Sequence, residues 1–465
     1  MSTFSGKRVS IIGLAREGTD LARVLAAEGA TVLVNDARSP EVLADRLSEL
    51  DGVPVQFVLG GHPLTPTLDA DVVLVSPGVP PELPVLVEAE KRGIPLSSAT
   101  QLFFERCPAP IVGITGSSGK TTTTTLVGRI FAEAGRKTLV GGNIGVPLLG
   151  RLSEITPEHW VILELSSFQL EPLTVSPHIA AVTNITPNHL DRHHTMDAYT
   201  AAKAQIVNHQ LPSDWCVLNA DDSGSSGLRP HGQVIRFSLQ RPVMGASCTG
   251  AYLDGDTLVL SRDGRRTIIC ERRELKAPGL HNVANVLTAC AIASAANIDV
   301  AAMRAVATTF VGVRHRLELI AEQGGVRYVN DSIATAPERS MAGLAVYEGT
   351  PVVLLAGGRD KHLPMDDWGR LIASTARALI TFGELAPLVE QAARAAGVPS
   401  GSIHRAETVD RAVELARTVA RSGDVVLLSP GGTSYDQYEN FEERGDHFAA
   451  VVRAAGTRTA EGGAA

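Results

Sequence analysis

The sequence of 465 residues predicts an α/β protein of three domains, each a mostly parallel sheet with flanking helices. Three observations predict it. Short apolar runs closing on glycine or polar turns alternate with amphipathic helical stretches along nearly the whole chain. Aromatic residues are only 4% of the composition while Ala, Val, Leu and Gly dominate, which lets helices lie close on sheets. Cys107-Pro-Ala-Pro110 reads as a stiff linker, because two prolines ahead of a strand break any helix. The expected domains are residues 1–107, 108–312 and 313–465.

The formal net charge of -8 excludes a general attraction to nucleic acid or anionic membrane, so neither is an expected partner. Five cysteines (Cys107, Cys216, Cys248, Cys270, Cys290) are scattered without a CxxC pair, which argues against a disulfide framework or zinc cage. The first residues lack the apolar core of a signal peptide, and no apolar run reaches the roughly 18 residues of a membrane span. A soluble, cytoplasmic protein is expected. No solenoid-length repeat is present.

In the first domain Val9–Gly13 reads as a strand meeting a glycine turn, and GLAREG (Gly13 to Gly18) opens a helix through Leu21, Val24 and Leu25. Thr31–Val34 is the next strand and leads to Asn35-Asp36, a Rossmann-like placement of an acid. Ala15 replaces the middle glycine of the dinucleotide fingerprint, so a dehydrogenase is a weak reading. Asp71–Gly78 is a third strand closing on a turn.

The second domain carries its clearest motif in Ile111–Thr125, IVGITGSSGKTTTTT. A buried strand breaks into Gly116, Ser117, Ser118 and Gly119, then Lys120, Thr121 and Thr122 start a helix. Backbone N–H groups bared by the glycines, with the positive helix end, cradle phosphate oxygens. Lys120 reaches the terminal phosphates and a Thr hydroxyl ligates magnesium. The strict GxxxxGK[ST] spacing is not met, since Ile114 holds its first position. GGNIG (Gly141–Gly145) follows, then the strand Trp160–Leu165 and SSFQ, then Ala180–Ile185 and TPNHLDRH. A helix over Met196–Asn208 carries Lys203. Residues 234–269 carry Gly-Asp turns that suggest antiparallel hairpins. GLHNVANVLTAC opens a helix with Asn282 and Asn285 on one face.

The third domain repeats the βα alternation, with parallel strands expected at Val326–Asp331, Val352–Gly358, Ala378–Phe382 and Asp424–Pro430. The segment after about Ala454 is expected to be disordered.

Glu164, at the end of an apolar strand beside the phosphate loop, is a candidate magnesium ligand. His189 and Asp191, with a nearby Glu, are candidates for a second magnesium or for proton handling. Lys203, on an amphipathic helix, reads from the residues alone as solvated. Arg316 suits a triphosphate, and Asp331 a ribose hydroxyl or a hinge.

Taken in order, GITGSSGKTT, GGNIG, ELSSFQLE, TPNHLDRH, YTAAKAQI, GLHNVANV, GVRHRLE, Asp331-Ser-Ile-Ala-Thr335, GGRDK and SPGGTSYDQYENFEERG resemble the Mur peptide ligases over nearly the whole chain. The match is best to members that add glutamate to UDP-N-acetylmuramoyl-L-alanine. The resemblance implies a Rossmann-like N-terminal domain for the UDP end of the substrate, a central P-loop ATPase and a mobile Rossmann-like C-terminal domain. It implies ATP as co-substrate, two Mg²⁺ sites, a monomer, and an acyl-phosphate intermediate in peptidoglycan precursor synthesis.

Residue by residue, it implies that Gly116 to Thr122 hold phosphates, and that Thr121 and Glu164 ligate metal. His189 and a carbamylated Lys203 would hold the second metal. Asn282, Asn285, Arg316 and Asp331 would bind ATP. Arg16, Asp36, Ala37, Arg38, Gly78 and Asn143 would bind the UDP substrate, and Thr335, Lys361, Ser434 and Phe441 the glutamate. Two positions depart from the family pattern. Ile333 stands where the family carries a lysine beside the incoming glutamate, and Arg16-Glu17 replace apolar and hydroxyl residues. D-glutamate is the expected substrate. The alternatives are L-glutamate with a separate epimerase, folylpolyglutamate synthesis, disfavoured by GLAREG and VSPGVP, or a non-ligase UDP-sugar-binding ATPase.

Overall fold

The computed structural model describes residues 4–145, 147–242, 249–277, 279–361 and 363–461, without the side chains of Asp191 and of residues 455–461. Cys248 lies outside the described residues. The chain is a three-domain α/β protein with one sheet per domain, and it divides into two compact units, Met1–Val311 and Gly312–Ala465.

The first unit holds two sheets. Strands β1 (Arg8–Ile12), β2 (Thr31–Asp36), β3 (Val55–Leu59), β4 (Val72–Val75) and β5 (Leu96–Ser97) form a parallel sheet in the order β3-β2-β1-β4-β5. The order reverses on either side of β1, so the turns after β1, β2 and β4 share one crevice. The nine strands of the second sheet are β6 (Ile111–Thr115), β7 (Lys137–Gly142), β8 (His159–Glu164), β9 (Ile179–Val182), β10 (Trp215–Asn219), β11 (Gln233–Ser238), β12 (Gly250–Asp254), β13 (Thr257–Arg262) and β14 (Arg265–Glu271). Their order is β14-β13-β12-β11-β10-β9-β6-β8-β7, with β6 between β8 and β9 at the switch point. The hairpins expected over residues 234–269 are present only from β12 onward. β11 pairs in parallel with both β10 and β12, which extends the parallel sheet by two strands.

These two sheets share one contiguous apolar core, in which Leu21 and Leu25 of the helix Arg16–Ala27 belong with Leu148, Leu149, Leu163 and Leu165 of the second sheet's layer. That common core makes one compact unit of two sheets. Polar ties reinforce it: Gly150 N–H donates to Asp20 Oδ2 at 3.1 Å, and Gln169 Nε2 donates to Glu17 Oε1 at 2.6 Å.

The second unit is built on β15 (Glu318–Gln323), β16 (Val326–Asn330), β17 (Val352–Gly357), β18 (Ala376–Phe382), β19 (Ile403–Arg405) and β20 (Val425–Gly431), in the order β15-β16-β20-β17-β18-β19. Only the edge pair β15/β16 is antiparallel. Period-two alternation buries both faces. Val353, Leu355, Val426 and Leu428 meet Val413, Phe448 and Val452, while Val352, Leu354, Val425 and Leu427 meet Trp368, Ile372 and Val389. Each such side chain contributes roughly 1.5–3 kcal/mol of burial free energy. The helix Phe441–Glu461 runs through most of the segment expected to be disordered, and residues 462–465 lie outside the described ones.

Glu17 sits at the junction of the two sheets with Oε2 buried and unpaired, and burial raises its pKa above the ordinary 4.5. A raised carboxyl pKa favours the fold while the group is protonated, and this contribution is lost as pH rises above 4.5. Glu17→Gln is therefore expected to melt higher than the parent at about pH 8, with the gain vanishing toward about pH 4. A variant melting lower at both pH values would contradict the buried-carboxyl account.

Candidate active site

The turn after β6 is fixed by what surrounds it. Gly116 has φ +152°, and a Cβ there would overlap the Thr183 hydroxyl. Gly119, at φ +80°, caps the helix Lys120–Glu133 in the left-handed region, with Asn285 Oδ1 against the place of its absent Cβ. Thr183 Oγ1 donates to Ser118 O at 2.6 Å, while Ser117 N–H and Ser118 N–H donate to Asn184 O and Oδ1, both at 2.9 Å. The glycine spacing that misses the strict pattern is thus the one this packing requires. Lys120 Nζ donates to Gly116 O at 2.8 Å and Ser117 O at 3.2 Å. Thr122 lies half-buried in the helix's first turn. Asn285, on the helix Leu280–Ala295, receives Thr123 Oγ1 at 3.4 Å and donates to Asn282 Oδ1 at 3.4 Å, so Asn285 packs on the loop with Asn282 beside it.

Glu164 ends β8 and is 2% exposed. One carboxylate oxygen accepts from Thr121 Oγ1 at 2.7 Å and the other from Asn143 Nδ2 at 2.8 Å. Adjacent ligands of an octahedral magnesium lie about 3 Å apart, so the Thr121 and Glu164 oxygens have a spacing that fits that ion. Among the described residues no three His, Cys, Asp or Glu side chains gather as a metal site. His189 is exposed, in a left-handed backbone conformation with φ 53°, and its ring lies 5.2 Å from Phe168, while the Asp191 side chain is outside the described residues.

The solvated reading of Lys203 is overturned. Lys203 is 1% exposed, on the buried face of the helix Met196–Asn208 with Tyr199, Ala202, Ile206 and Val207. Its Nζ donates to Gly116 O at 3.1 Å and Thr115 Oγ1 at 3.3 Å and lies 4.7 Å from the Tyr199 ring centroid. Burial, and then the charge of Lys120, lower its pKa to about 7. Both lysines therefore bond the same carbonyl.

Three neighbours were not singled out from the sequence. Tyr199 OH lies 3.1 Å from Ser117 Oγ. His193, buried, stacks on Phe168 at 5.2 Å with its Nε2 2.9 Å from Ser167 Oγ. Arg192 Nη2 donates to Val79 O at 3.1 Å, tying TPNHLDRH to VSPGVP.

At the first sheet's crevice, Asp36 accepts from Leu14 N–H at 2.7 Å and from Arg38 Nη2 at 2.7 Å. Burial alone would raise its pKa, but the bonds from Arg38 and Leu14 outweigh it and hold the carboxyl down to about 2. Asp36 thereby braces the Gly13–Gly18 turn, while Arg16 and Gly78 are exposed at the rim.

In the second unit, three adjacent strands bring candidate residues to one sheet edge: Thr335 follows β16, Lys361 follows β17 and Ser434 follows β20. Asp331 is buried, which pushes its carboxyl up to about 7 despite bonds from Ser429 Oγ at 2.8 Å and Leu317 N–H at 3.2 Å. Arg316 is exposed, two residues before β15. Ile333 is half-buried, and its N–H donates to His315 O at 3.1 Å. Phe441 O accepts from Ser332 Oγ at 2.8 Å.

The parallel sheet, its switch-point phosphate loop and the adjoining Thr–Glu pair define an α/β enzyme that uses a nucleoside triphosphate. Comparison with known proteins makes this specific. Residues 7–98 match the Mur ligase MurD-like N-terminal domain, 114–293 the Mur ligase middle domain, and 315–432 the Mur ligase glutamate ligase domain. The chain is 44% identical to a UDP-N-acetylmuramoylalanine–D-glutamate ligase of Symbiobacterium thermophilum, over 96% of this chain and 98% of that one. It is 41% identical to the ligase of the same name from Pelotomaculum thermopropionicum, over 97% and 98%. Its fold resembles the solved UDP-N-acetylmuramate-alanine ligase of Thermotoga maritima, with TM-score 0.52 and 18% identity over 97% of this chain and 100% of that one. The chain belongs to the Mur ligase family and is an ATP-dependent ligase.

Gly116→Ala forces either the loop or Thr183 to move, and is expected to weaken ATP binding by roughly tenfold or more in calorimetry. Unchanged affinity would contradict the cradle.

Proposed function

We propose that this chain joins D-glutamate to the L-alanine carboxyl of UDP-N-acetylmuramoyl-L-alanine in peptidoglycan precursor synthesis, acting as a cytoplasmic monomer. The observation that carries the reading is Glu164. Its two oxygens touch Thr121 of the phosphate loop and Asn143 of GGNIG, so one carboxylate joins the nucleotide position to the muramoyl-alanine position. The names of the full-length relatives support the same substrates.

A carboxylate is a poor electrophile. In the proposed reaction an oxygen of the L-alanine carboxylate takes the γ-phosphoryl group of ATP, giving an acyl phosphate and ADP. The glutamate amine then attacks the acyl carbon, and phosphate leaves with the oxygen that bridged it. Lys120 offsets the charge that gathers as the two anions approach. Magnesium, at Thr121 and Glu164 and at a second position with His189, supplies the remaining charge neutralisation when bound.

Lys203 suits carbamylation because only the neutral amine attacks CO₂, and an amine held near pKa 7 is substantially neutral at neutral pH. The product exchanges a cation beside Lys120 for a carboxylate, which removes a like-charge contact and adds a metal-binding oxygen pair. In this reading Asn282, Asn285, Arg316 and Asp331 hold the nucleotide, Arg16, Asp36, Arg38 and Gly78 the UDP end, and Thr335, Lys361, Ser434 and Phe441 the amino acid.

Ile333 sets the alternative, because a cation is missing beside an acidic substrate and Arg359 or Lys361 must take its place. The test measures phosphate release from ATP with UDP-N-acetylmuramoyl-L-alanine and either glutamate enantiomer. Release that needs D-glutamate is expected. Turnover with L-glutamate alone would favour a ligase paired with an epimerase, and release needing no amino acid would remove the ligase reading. Lys203→Ala is expected to lose roughly a hundredfold of turnover or more, with no response to added bicarbonate. Near-normal turnover by that variant would exclude the carbamate.

A further inference from the structure

Arg444 lies one turn into the helix Phe441–Glu461 and is 0% exposed. Its guanidinium makes four hydrogen bonds to two loops. Nε donates to Ser332 Oγ at 3.0 Å and Nη2 to Ser332 O at 3.0 Å. Nη1 donates to Gly432 O at 3.2 Å and Thr433 O at 3.1 Å. Ser332 belongs to the loop after β16 that carries Thr335, and Gly432 and Thr433 belong to the loop after β20 that carries Ser434.

Two further bonds extend this junction. Ser332 Oγ donates to Phe441 O at 2.8 Å. Thr433 and Arg359 exchange backbone bonds of 2.8 and 3.1 Å, which brings in the loop after β17 that carries Lys361. Gly358 in that loop has no room for a side chain, since a Cβ would stand 2.1 Å from Thr433 O and 2.9 Å from Arg444 Nη1. One side chain thus stands where the loops bearing Thr335, Lys361 and Ser434 meet the first turn of the helix that begins at Phe441.

The bonding is unusual for a buried cation, because carbonyls and a hydroxyl, with no carboxylate, receive the guanidinium. Burying an ion is strongly unfavourable unless its hydrogen bonds are well formed. A planar fork with five donors satisfies four acceptors in two loops at once, and an ammonium on a flexible stem does not. The charge persists at neutral pH, since burial lowers the Arg444 pKa only to about 10.

We propose that Arg444 is the positioning residue of the amino-acid pocket, fixing the loops after β16 and β20 so that Thr335, Ser434 and Phe441 present one surface to the incoming amino acid. This rests on the ligase reading of the same site. It separates Arg444 from a core residue that merely stabilises the unit: loss of the fork loosens the acceptor pocket selectively. The UDP-substrate residues lie in the other unit, so its KM serves as an internal control.

Arg444→Lys keeps the charge without the fork, and Arg444→Met keeps the length without donors. Both are made in the full chain, with Ser332→Ala to remove one acceptor by a smaller change. Melting temperature is measured with KM for glutamate and for UDP-N-acetylmuramoyl-L-alanine. The expected result for either arginine variant is a rise in the glutamate KM of roughly ten- to a hundredfold, with the UDP-substrate KM within about twofold of the parent. Ser332→Ala should show a smaller rise of the same selectivity, and it decides the matter if neither arginine variant folds. Parallel rises in both KM values, or a lowered melting temperature with an unchanged glutamate KM, would overturn the proposal. Failure of the parent protein itself to release phosphate in response to glutamate would instead overturn the ligase reading, and this inference with it.

Discussion

The carbonyl of Gly116 is the point on which the catalytic end of the first unit depends. Two lysines from different helices, Lys120 and Lys203, donate to it. The residue that offers this carbonyl cannot carry a Cβ, because Thr183 occupies the space. Three elements therefore meet at one residue: the phosphate-loop helix, the helix Met196–Asn208, and the strand end of β9. Moving any of them changes the distance between two like charges in a poorly hydrated site, where such a distance matters far more than in water. Burial of Lys203, and then the charge of Lys120, depress its amine, and its suitability for carbamylation follows from that.

A second constraint links this point to the rest of the proposed chemistry. Glu164 sits at the end of β8, adjacent to β6 in the sheet, and its two oxygens are committed in different directions, to Thr121 and to Asn143. The phosphate loop and the GGNIG turn are thus held in register by one carboxylate on a buried strand. In the second unit the corresponding work is done by a cation, with Arg444 donating to carbonyls of two loops beyond the backbone bond from Gly431 N–H to Ala334 O at 2.8 Å. Sheet order explains both cases. Strands β6 and β20 lie where the chain order reverses, and the loops at that edge diverge and leave a crevice.

Much of this was legible in the sequence because the signals are local. The phosphate loop, the acid ending β2, the strand preceding Glu164 and the helix Met196–Asn208 are set by short apolar runs meeting glycine or polar turns. Edge strands β15 and β19 and the parallel pairing of β11 were not legible, since pairing partners are chosen by distant segments. The fate of Lys203 was missed from the residues alone because a lysine on a helix is ordinarily solvated. Its position four residues after Tyr199, beside Ala202 and Ile206, was the available signal of a buried face. Arg444 had no such signal, because its partners are backbone carbonyls, and no side-chain pattern announces those. His193 was obscured by its neighbours in a histidine-rich turn, from which its burial, its stacking on Phe168 and its contact with Ser167 distinguish it. The merging of the first two sheets into one unit depends on leucines of residues 148–165 meeting the helix Arg16–Ala27, a contact between segments more than a hundred residues apart.

The central claim is that the phosphate loop and Glu164 present a γ-phosphoryl group to a carboxylate. It is tested most directly by labelling the L-alanine carboxylate of the UDP substrate with oxygen-18 and analysing the phosphate released during glutamate-dependent turnover. The account predicts one labelled oxygen transferred to each phosphate, because the oxygen that attacks phosphorus leaves with it. Phosphate released without label would show that the carboxylate is never phosphorylated and would contradict the account.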